Sequence, residues 1–592
     1  MKFLRIVFGT VVGLLLFFGI VTLVIIGIAS SATSEQEIEI EENSVLKIEL
    51  NQPIVERETE DPFNALFFPG NNNGNIGLIE LNEALKKAKE DDRIKGIYLD
   101  AGLTLAGFAS LREIRNSLLD FKESGKFIIA YSEILSEKAY YLTSVADYIY
   151  LHPQGNIEFN GFVVEVTFIK NTLDKLGVEP QVFRVGDFKS AVEPLLRTSM
   201  SDSSRLQSQA YLNNLYHVFL EEIASARNIS IPELRQIADS MKVSSPIEAK
   251  EYELITDTAY YDMVIQKIGE KLGIEPEEED EDFDINDINF ISLKSYEKSI
   301  AQQPDDYSRN RIAVIVATGT IVNGEGENNV IGGETFAKEI RQARLDDNIK
   351  AIILRINSGG GSALASDVMW REIQLAKQVK PVIASMSDVA ASGGYYMAMG
   401  CDTIVAQPNT ITGSIGIFGV IPNAKELLNK IGVTTDYVQT SEFANIFSLT
   451  HPLSAAEKQI IQNQVENGYE DFTKKAAMGR DMSLSQLKSV ASGRVWSGVE
   501  AMEKDLIDVF GGLDEAIMIA KNKANLDQDY QVKYYPKKRT FLELLMSEFD
   551  QEISTYKLKR ELGITYPIIQ QLKEIQNLQG TQARLPFEIE IK

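Results

Sequence analysis

Cysteine and histidine are nearly absent from this sequence of 592 residues. Its single cysteine, Cys401, excludes an intramolecular disulfide framework and any zinc site built from several thiolates. The only histidines are His152, His217 and His451, so chemistry that needs a histidine cluster is not expected.

Positive charge is also in short supply. The chain has 59 Lys and Arg against 85 Asp and Glu, which gives a formal net charge of −26. Because phosphate binding needs a basic surface, this balance argues against nucleic acid as a partner. What remains is a globular composition, with 44% hydrophobic and 24% charged residues, and it is rich enough in apolar residues to bury a sizeable core.

The longest apolar run lies at the N-terminus. Lys2 and Arg5 precede residues 6–28, which are mostly Leu, Ile, Val, Phe and Gly. About 20 such residues span a bilayer as a helix, whereas the apolar part of a cleaved signal peptide is usually shorter. Small residues after the run leave cleavage as the alternative. Basic residues before the run and acidic residues after it place the N-terminus in the cytoplasm and the rest of the chain on the exported face.

Beyond this segment the sequence repeats itself. Asp91–Ile97 resembles Asp346–Ile352, and Tyr140-Tyr141 matches Tyr395-Tyr396, in each case at an offset of 255 residues. Such a spacing indicates a duplicated domain of about 250 residues. We predict an anchor at 1–34, a first repeat at 35–274, an acidic linker and connecting segment at 275–310, a second repeat at 311–535 and a helical tail at 536–592.

Each repeat alternates short apolar runs with stretches of helical periodicity. In the second repeat we predict strands at Ile312–Ala317, Ala351–Ile356, Pro381–Ser385 and Ile404–Ala406, and helices at Thr335–Arg344 and Ser366–Gln378. This alternation predicts α/β units with a largely parallel sheet.

A serine stands where a predicted strand turns into a predicted helix, in the segment from Asp388 to Tyr396. Ser392 is followed by Gly393 and Gly394, which allow close approach to the backbone. The N–H groups at the start of a helix stabilise negative charge, so this serine is a candidate nucleophile. An ordinary helix cap within a glycine turn is the alternative interpretation.

A second turn, Arg355–Ser362, also lies between a predicted strand and a predicted helix. Its three consecutive glycines, Gly359, Gly360 and Gly361, are suited to exposing N–H groups that bind an oxyanion. A phosphate loop or a plain turn are the alternatives, but no Gly-Lys-Ser/Thr follows as a phosphate loop requires.

A nucleophilic serine needs a base, and lysine is an accepted one if burial lowers its pKa. No histidine lies between Ser392 and His451. Lys189 stands among small and apolar residues in the first repeat, where the second repeat has Ala444; conversely, Ser392 aligns with Glu137. Each repeat therefore carries one half of a Ser-Lys pair, and the two together predict one site at their interface. A solvated surface lysine is the alternative.

Three segments together resemble the signal peptide peptidase A family in its long, duplicated bacterial form. They are Ser-Gly-Gly-Tyr-Tyr from Ser392, the Asn-Ser-x-Gly-Gly-Ser loop from Asn357 and Gly-x-x-Lys-Ser-Ala-Val-Glu-Pro around Lys189. The resemblance implies tandem domains of the Clp protease and crotonase superfamily fold behind a transmembrane helix. It further implies a bowl-shaped homotetramer in the bacterial inner membrane, with its catalytic part on the periplasmic or exported side.

The resemblance also implies roles for individual residues. It assigns the nucleophile to Ser392, the general base to Lys189, the oxyanion-binding N–H groups to Gly393 with Gly360 or Gly361, and the orientation of the lysine to Ser414. Ser414 as an ordinary turn residue is the alternative. The family loop usually has proline where this chain has Gly359, and losing proline leaves the oxyanion loop less pre-organised.

The predicted function is that of a membrane-anchored serine endopeptidase that degrades cleaved signal peptides and other apolar peptides through an acyl-enzyme. No metal or cofactor is needed for this chemistry. Two other functions stay open at this point: a non-catalytic peptide-binding scaffold of the envelope, and a crotonase-type acyl-CoA enzyme.

Overall fold

The computed structural model describes residues 8–10, 12–14, 16–17, 19, 38–58, 74–274, 287–302, 308–326, 330–538 and 581–585. Most of the predicted anchor, the acidic run Glu275–Asp284 and most of the tail from residue 536 lie outside these ranges. Within them, no helix has both the length and the apolar character needed to cross a membrane.

The first repeat is built around a six-stranded parallel sheet in the order β8-β6-β5-β4-β1-β9. The strands of this half are β1 (Ser44–Glu49), β2 (Ile54–Val55), β3 (Ile76–Gly77), β4 (Ile94–Asp100), β5 (Phe127–Leu135), β6 (Tyr148–Ile157), β7 (Glu179–Arg184), β8 (Asp257–Thr258) and β9 (Phe290–Ser292). Its helices are α1 (Leu78–Glu90), α2 (Phe108–Lys122), α3 (Glu137–Thr143), α4 (Lys170–Leu176), α5 (Glu193–Leu196), α6 (Asp202–Arg227), α7 (Ile231–Asp239), α8 (Pro246–Glu251), α9 (Tyr261–Leu272) and α10 (Leu293–Ala301), with a 3-10 turn at Ser190–Val192.

The second repeat contains the corresponding sheet, in the order β19-β17-β15-β13-β10-β21, and β16 links β15 to β20. Every pair in it is parallel except β17 with β19. The strands are β10 (Arg311–Thr318), β11 (Thr320–Val322), β12 (Val330–Gly332), β13 (Ile349–Ser358), β14 (Gly360–Ser362), β15 (Val382–Ala391), β16 (Thr403–Ala406), β17 (Ile411–Gly413), β18 (Phe418–Asn423), β19 (Val495–Ser497), β20 (Val509–Phe510), β21 (Gln531–Tyr535) and β22 (Thr581–Arg584). The helices are α11 (Gly333–Leu345), α12 (Ala363–Lys377), α13 (Gly393–Ala398), α14 (Lys425–Lys430), α15 (Ala455–Gly479), α16 (Leu484–Val490), α17 (Gly498–Glu503) and α18 (Leu513–Lys523).

Hydrophobic patterning explains these elements. The centre of β13, Ala351–Leu354, is a continuous apolar run that is buried on both faces, as expected of a strand in a parallel sheet covered by helices. α11 buries Phe336, Ala337 and Ile340, which recur at helical spacing. The four strands and two helices predicted in the second repeat are confirmed, with ends that differ by a few residues.

The duplication is visible in the elements themselves. An offset of 255 residues carries β4 onto β13, and α3 onto the start of α13. Each repeat has its own large apolar core, and the α/β fold occurs twice in the chain. Of the segment that links the repeats, β9 adds to the edge of the first sheet beside β1.

A third sheet joins the two repeats, in the order β12-β11-β14-β22-β18-β7. In it β7 of the first repeat pairs antiparallel with β18 of the second, from Glu179 opposite Asn423 to Arg184 opposite Phe418. Beside β18 lies β22, so residues 581–584 of the predicted helical tail form a strand. This sheet brings the chain that follows β7 against the second repeat.

Buried charges also connect the repeats. Arg355 of β13 is fully buried, and its guanidinium contacts Glu56 at 2.7 Å and Glu113 at 2.8 Å, both from the first repeat. Near the end of β15, Asp388 accepts hydrogen bonds from the N–H of Ser110 at 2.9 Å and from its hydroxyl at 2.6 Å. Buried ions are costly unless they are paired in this way, so these contacts select one relative placement of the repeats.

Candidate active site

Ser392 occupies the tip of the turn between β15 and α13. Its φ is +55° and its ψ is −111°, a conformation that is strained for a residue other than glycine. Two backbone hydrogen bonds hold the turn: the Ser392 N–H donates to Gly413 O, and the Tyr396 N–H donates to Ser392 O, both at 2.8 Å. Strain held in place by its surroundings is typical of functional turns between a strand and a helix.

Lys189 reaches this turn from the first repeat. It follows β7 and precedes the 3-10 turn, and its Nζ lies 2.7 Å from Ser392 Oγ. The segment is tied to the second repeat by the N–H of Phe188, which donates to Ser492 O at 3.2 Å. The lysine stem passes between two glycines: a Cβ on Gly493 would lie 2.6 Å from Lys189 Cβ, and one on Gly416 would lie 3.2 Å from its Cδ. Side chains at these positions would crowd the lysine.

Ser414 completes the cluster. Lys189 Nζ donates to both the carbonyl oxygen and Oγ of Ser414, each at 3.0 Å. Ser414 Oγ in turn donates to Gly493 O at 3.4 Å, and its N–H donates to Arg494 O at 2.7 Å. The structure thus brings together three residues that the sequence analysis selected separately.

The electrostatic state of the lysine follows from its burial. Lys189, Ser392 and Ser414 are all fully buried. Desolvation disfavours the ammonium form and holds the pKa of Lys189 well below its usual range, with no charged neighbour contributing to the shift. A neutral amine can give two hydrogens to Ser414 and keep its lone pair for the hydroxyl proton of Ser392.

The glycine loop packs directly against the nucleophile turn. Gly360 has a φ of +94°, and its N–H donates to Ser358 Oγ at 3.1 Å. A Cβ on Gly360 would overlap Ala583 O and lie 2.6 Å from the amide nitrogen of Gly393. Gly361 is equally confined, because a Cβ there would overlap Ile321 O. The three amides predicted to bind an oxyanion therefore belong to two turns in contact, with no room for a side chain at Gly360.

Gly359, where the resemblance expects proline, is less constrained. A Cβ added to it would meet Leu585 Cδ1 at 3.1 Å, and its φ is not positive. Among the described residues, His451 Nε2 lies 3.6 Å from Glu457 and its Nδ1 lies 3.4 Å from Asn445, so the histidine that follows the nucleophile motif in sequence has other partners.

The position equivalent to Ser392 in the first repeat has different chemistry. Glu137 begins α3 and accepts hydrogen bonds at 2.8 Å from the N–H groups of Asn160 and Gly161. Burial raises the pKa of Glu137 to about 7, although the two hydrogen bonds act in the opposite direction and lower it. In the part of the chain that the structure describes, no three His, Cys, Asp or Glu side chains are grouped to hold a metal ion.

Sequence reasoning missed the residues that support the site. Asp388 stood in the nucleophile motif without a role, and its two hydrogen bonds with Ser110 fix the end of β15. A carboxylate within a buried strand is unusual, and this could have drawn attention to Asp388. Gly493 packs against Lys189, but in the sequence its Ser-Gly pair indicates only a turn.

Comparison with known proteins gives consistent matches. The sequence fits Peptidase family S49 twice, over residues 120–275 and 374–527. It is 34% identical over 515 residues to Protease 4 of Haemophilus influenzae, which covers 84% of this chain and 82% of that protein. Protease 4 of Salmonella typhi is 37% identical over 478 residues, covering 79% and 75%. The chloroplastic serine protease SPPA of Arabidopsis thaliana is 35% identical over 520 residues, covering 87% and 74%.

Proposed function

The chain belongs to peptidase family S49 and is a serine protease of the signal peptide peptidase A type, and from this premise we propose that Ser392 and Lys189 form its catalytic dyad. One observation carries the proposal: a fully buried lysine amine, with no carboxylate partner among the residues that the structure describes, lies 2.7 Å from the oxygen of a serine in a strained turn. Burial supplies the neutral base, and the turn supplies the nucleophile.

Acylation begins when Ser392 Oγ attacks the carbonyl carbon of a peptide bond. The hydroxyl proton passes to Lys189 Nζ, which becomes an ammonium, while the carbonyl oxygen takes the negative charge. As the tetrahedral intermediate collapses, the C–N bond breaks and the leaving amine takes the proton from Lys189. An ester with Ser392 remains.

Deacylation repeats the same transfers with water. Lys189, neutral again, takes a proton from the water that attacks the ester, and the proton returns to Ser392 Oγ as the acid product leaves. Ser414 keeps the amine in place through its two contacts with Nζ. It is a positioning residue in this scheme, because it acts through Lys189.

The oxyanion is assigned to backbone N–H groups of Gly393 with Gly360 or Gly361. Support comes from the packing of Gly360 against the Gly393 amide and from the position of that amide at the start of α13. Removing one oxyanion donor from a serine protease typically costs 10²–10³-fold in rate. The Gly360 N–H already donates to Ser358 Oγ, so it has to share or exchange that partner.

We propose apolar peptides, including signal peptides after their release, as the substrates. A cavity of about 230 Å³ beside β18 supports this, since most of its lining residues are apolar, among them Phe447, Ile461 and Val465. A membrane anchor at 1–34, an exported catalytic part at the bacterial inner membrane and a homotetramer complete the proposal. They rest on the N-terminal sequence and on the family.

The test is hydrolysis of a fluorogenic apolar peptide by the full chain in detergent, compared with Ser392→Ala and Lys189→Ala. Both variants should lose at least 10³-fold in kcat while circular dichroism shows them folded. Lys458→Ala is the matched control, because Lys458 is exposed on α15. Full activity of Lys189→Ala would show that the base is misassigned. A wild type that binds peptides without cutting them would favour the scaffold.

A further inference from the structure

The loop that carries Lys189 is irregular at the lysine itself. β7 ends at Arg184, and the 3-10 turn begins only at Ser190. Lys189 Nζ nevertheless has to stay beside Ser392 Oγ, because the proposed reaction passes a proton between these two atoms. Side chains that fix this loop therefore bear on the reaction.

Gln207 on α6 contacts the residues on both sides of the lysine. Its side chain is only 1% exposed. Its Nε2 donates to Phe188 O at 3.2 Å and to Ser190 Oγ at 2.8 Å, and its Oε1 accepts from the N–H of Val495 at 3.1 Å. Both hydrogens and the oxygen of this buried amide are therefore used.

The contact with Val495 joins the loop to the second repeat. Val495 begins β19, and Gly493, two residues earlier, packs against the lysine. The same face of α6 continues the connection, since Asn214 lies two helical turns after Gln207 and its Nδ2 donates to Ser497 Oγ at 3.0 Å. Gln207 thus links the loop that carries the lysine to the strand that follows the turn packed against it.

Glu193 fastens the far end of the loop. It is buried, and its carboxylate accepts hydrogen bonds from the N–H of Ser201 at 3.0 Å and from its hydroxyl at 2.6 Å. Ser201 is the N-cap of α6. Arg184 lies 3.9 Å from the same carboxylate and donates to Lys189 O at 3.3 Å. A buried carboxylate is costly unless its oxygens are paired, so these partners fix Glu193 against the start of α6.

A comparison of the repeats associates Gln207 with the lysine. Ser201 caps α6 and Ser454 caps α15, the corresponding helix of the second repeat. Six positions beyond the cap, α6 has Gln207, whereas α15 has Ile460. The repeat that carries the lysine therefore has the amide, and the repeat that lacks the lysine has an apolar residue in its place.

We propose that Gln207 and Glu193 are positioning residues of the catalytic lysine, which fasten its loop to α6 and, through Val495, to the second repeat. The proposal rests on the function proposed above, because it takes Lys189 to be the base. Both residues act through the lysine, so their loss should slow the chemical step and leave peptide binding unchanged.

Gln207→Met keeps the length of the side chain and removes its three hydrogen bonds. In the full chain in detergent, kcat at pH 7 should fall about ten-fold or more with KM within about two-fold of the wild type, because small displacements of a catalytic group are costly. Gln209→Met is the matched control, since Gln209 is exposed on the same helix and donates to Asn213. It should keep both constants within about two-fold of the wild type. Circular dichroism verifies that each variant is folded.

Glu193→Gln tests the other end of the loop. It keeps the size of the side chain but turns one acceptor into a donor, so one hydrogen bond from Ser201 is lost. We again expect kcat to fall about ten-fold or more at unchanged KM. Glu221→Gln is the control, because Glu221 is exposed on α6.

Ser190→Ala removes one partner of Gln207 and leaves the amide in place. It should lower kcat about three-fold or more. The double variant Gln207→Met, Ser190→Ala should have a kcat within about two-fold of Gln207→Met alone, because the two changes remove the same contact. If Gln207→Met does not fold, Ser190→Ala and Glu193→Gln carry the test.

The outcomes separate this proposal from the catalytic one. If folded Gln207→Met and Glu193→Gln keep the kcat of the wild type, or lose activity only through a raised KM, the positioning role is refuted, while an inactive Lys189→Ala leaves the dyad standing. Losses that multiply in the double variant would refute the link between Gln207 and the loop. If Lys189→Ala is itself fully active, the base is misassigned and both proposals fall.

Discussion

Replacing Lys189 with methionine should abolish activity, and its effect on stability should be more favourable at pH 7 than at pH 10. Keeping a lysine neutral at pH 7, when its ordinary pKa is 10.5, costs about 5 kcal/mol, at about 1.4 kcal/mol per pH unit. Methionine has a similar length and no charge to lose. Against this gain, Ser392 and Ser414 lose their contacts with Nζ, and each buried group left unsatisfied costs about 1–3 kcal/mol. The two groups together cost about 2–6 kcal/mol, so the two effects nearly cancel and the net change at pH 7 lies between about −1 and +3 kcal/mol.

The pH dependence of the change in unfolding free energy identifies its cause. Between the lowered pKa of the folded chain and pH 10.5, the unfolded chain carries a proton on Lys189 and the folded chain does not. The unfolded state therefore binds more protons, and the stability of the wild type rises with pH up to about 10.5. Because the cost of the neutral amine falls from about 5 to less than about 1 kcal/mol, Lys189→Met should be about 4 kcal/mol more favourable at pH 7 than at pH 10.

Thermal unfolding of the full chain in detergent, followed by circular dichroism at pH 7 and pH 10, measures both effects. One kcal/mol corresponds to about 2–4 °C for a unit of 150–250 residues. Lys458→Met, at an exposed position on α15, controls for the loss of any lysine. If Lys189→Met lowers the melting temperature equally at both pH values, Lys189 is charged in the folded protein and cannot be the resting base.

Three further predictions concern Ser414, the glycine loop and Glu137. Ser414→Ala should lower kcat ten-fold or more with little change in KM, because Lys189 Nζ loses one of its two contacts with that residue. Steady-state kinetics measures both constants, and a ten-fold rise in KM would contradict a positioning role. Gly360→Ala should lose at least 10²-fold in kcat/KM, because its Cβ would overlap neighbouring backbone. Gly359→Ala, whose Cβ has its nearest contact at 3.1 Å, should keep kcat/KM within a few-fold of the wild type. Similar losses in both variants would refute the placement of the oxyanion-binding N–H groups. Glu137→Gln should stabilise the protein more at pH 8 than at pH 4. Burial raises the pKa of Glu137 to about 7, so the wild type loses stability as pH rises from 4.5 through that value, whereas glutamine does not titrate. Thermal unfolding at the two pH values measures this difference, and an equal effect at both would show that the pKa of Glu137 is not raised in the folded state.

The fold was accessible to sequence reasoning where local pattern decides structure. The apolar run Ala351–Leu354 is typical of a central strand in a parallel sheet, and the structure has β13 there. The 255-residue repeat followed from matched segments and reappears in the sheets and in the two family matches. β22 was not accessible, because Thr-Gln-Ala-Arg has no apolar alternation and its strand conformation comes from its neighbours β14 and β18.

The sequence by itself selected the candidates for chemistry. Ser392 was selected because a glycine pair follows it between a predicted strand and a predicted helix. Lys189 was selected because the first repeat has this lysine but no serine at the position of Ser392, while the second repeat has the serine but no lysine. The first inference uses local context and the second uses a comparison of the two repeats, and a linear sequence carries both.

Only the tertiary structure decided how these residues meet and in which ionisation state. Lys189 and Ser392 are 203 positions apart, and they touch because β7 pairs with β18 across the two repeats. The lowered pKa of the amine is a property of the packed surroundings, since desolvation arises only after the chain has excluded water from it. The same packing places Ala583 and Leu585 along the glycine loop, because pairing with β14 and β18 rather than local preference sets the conformation of β22.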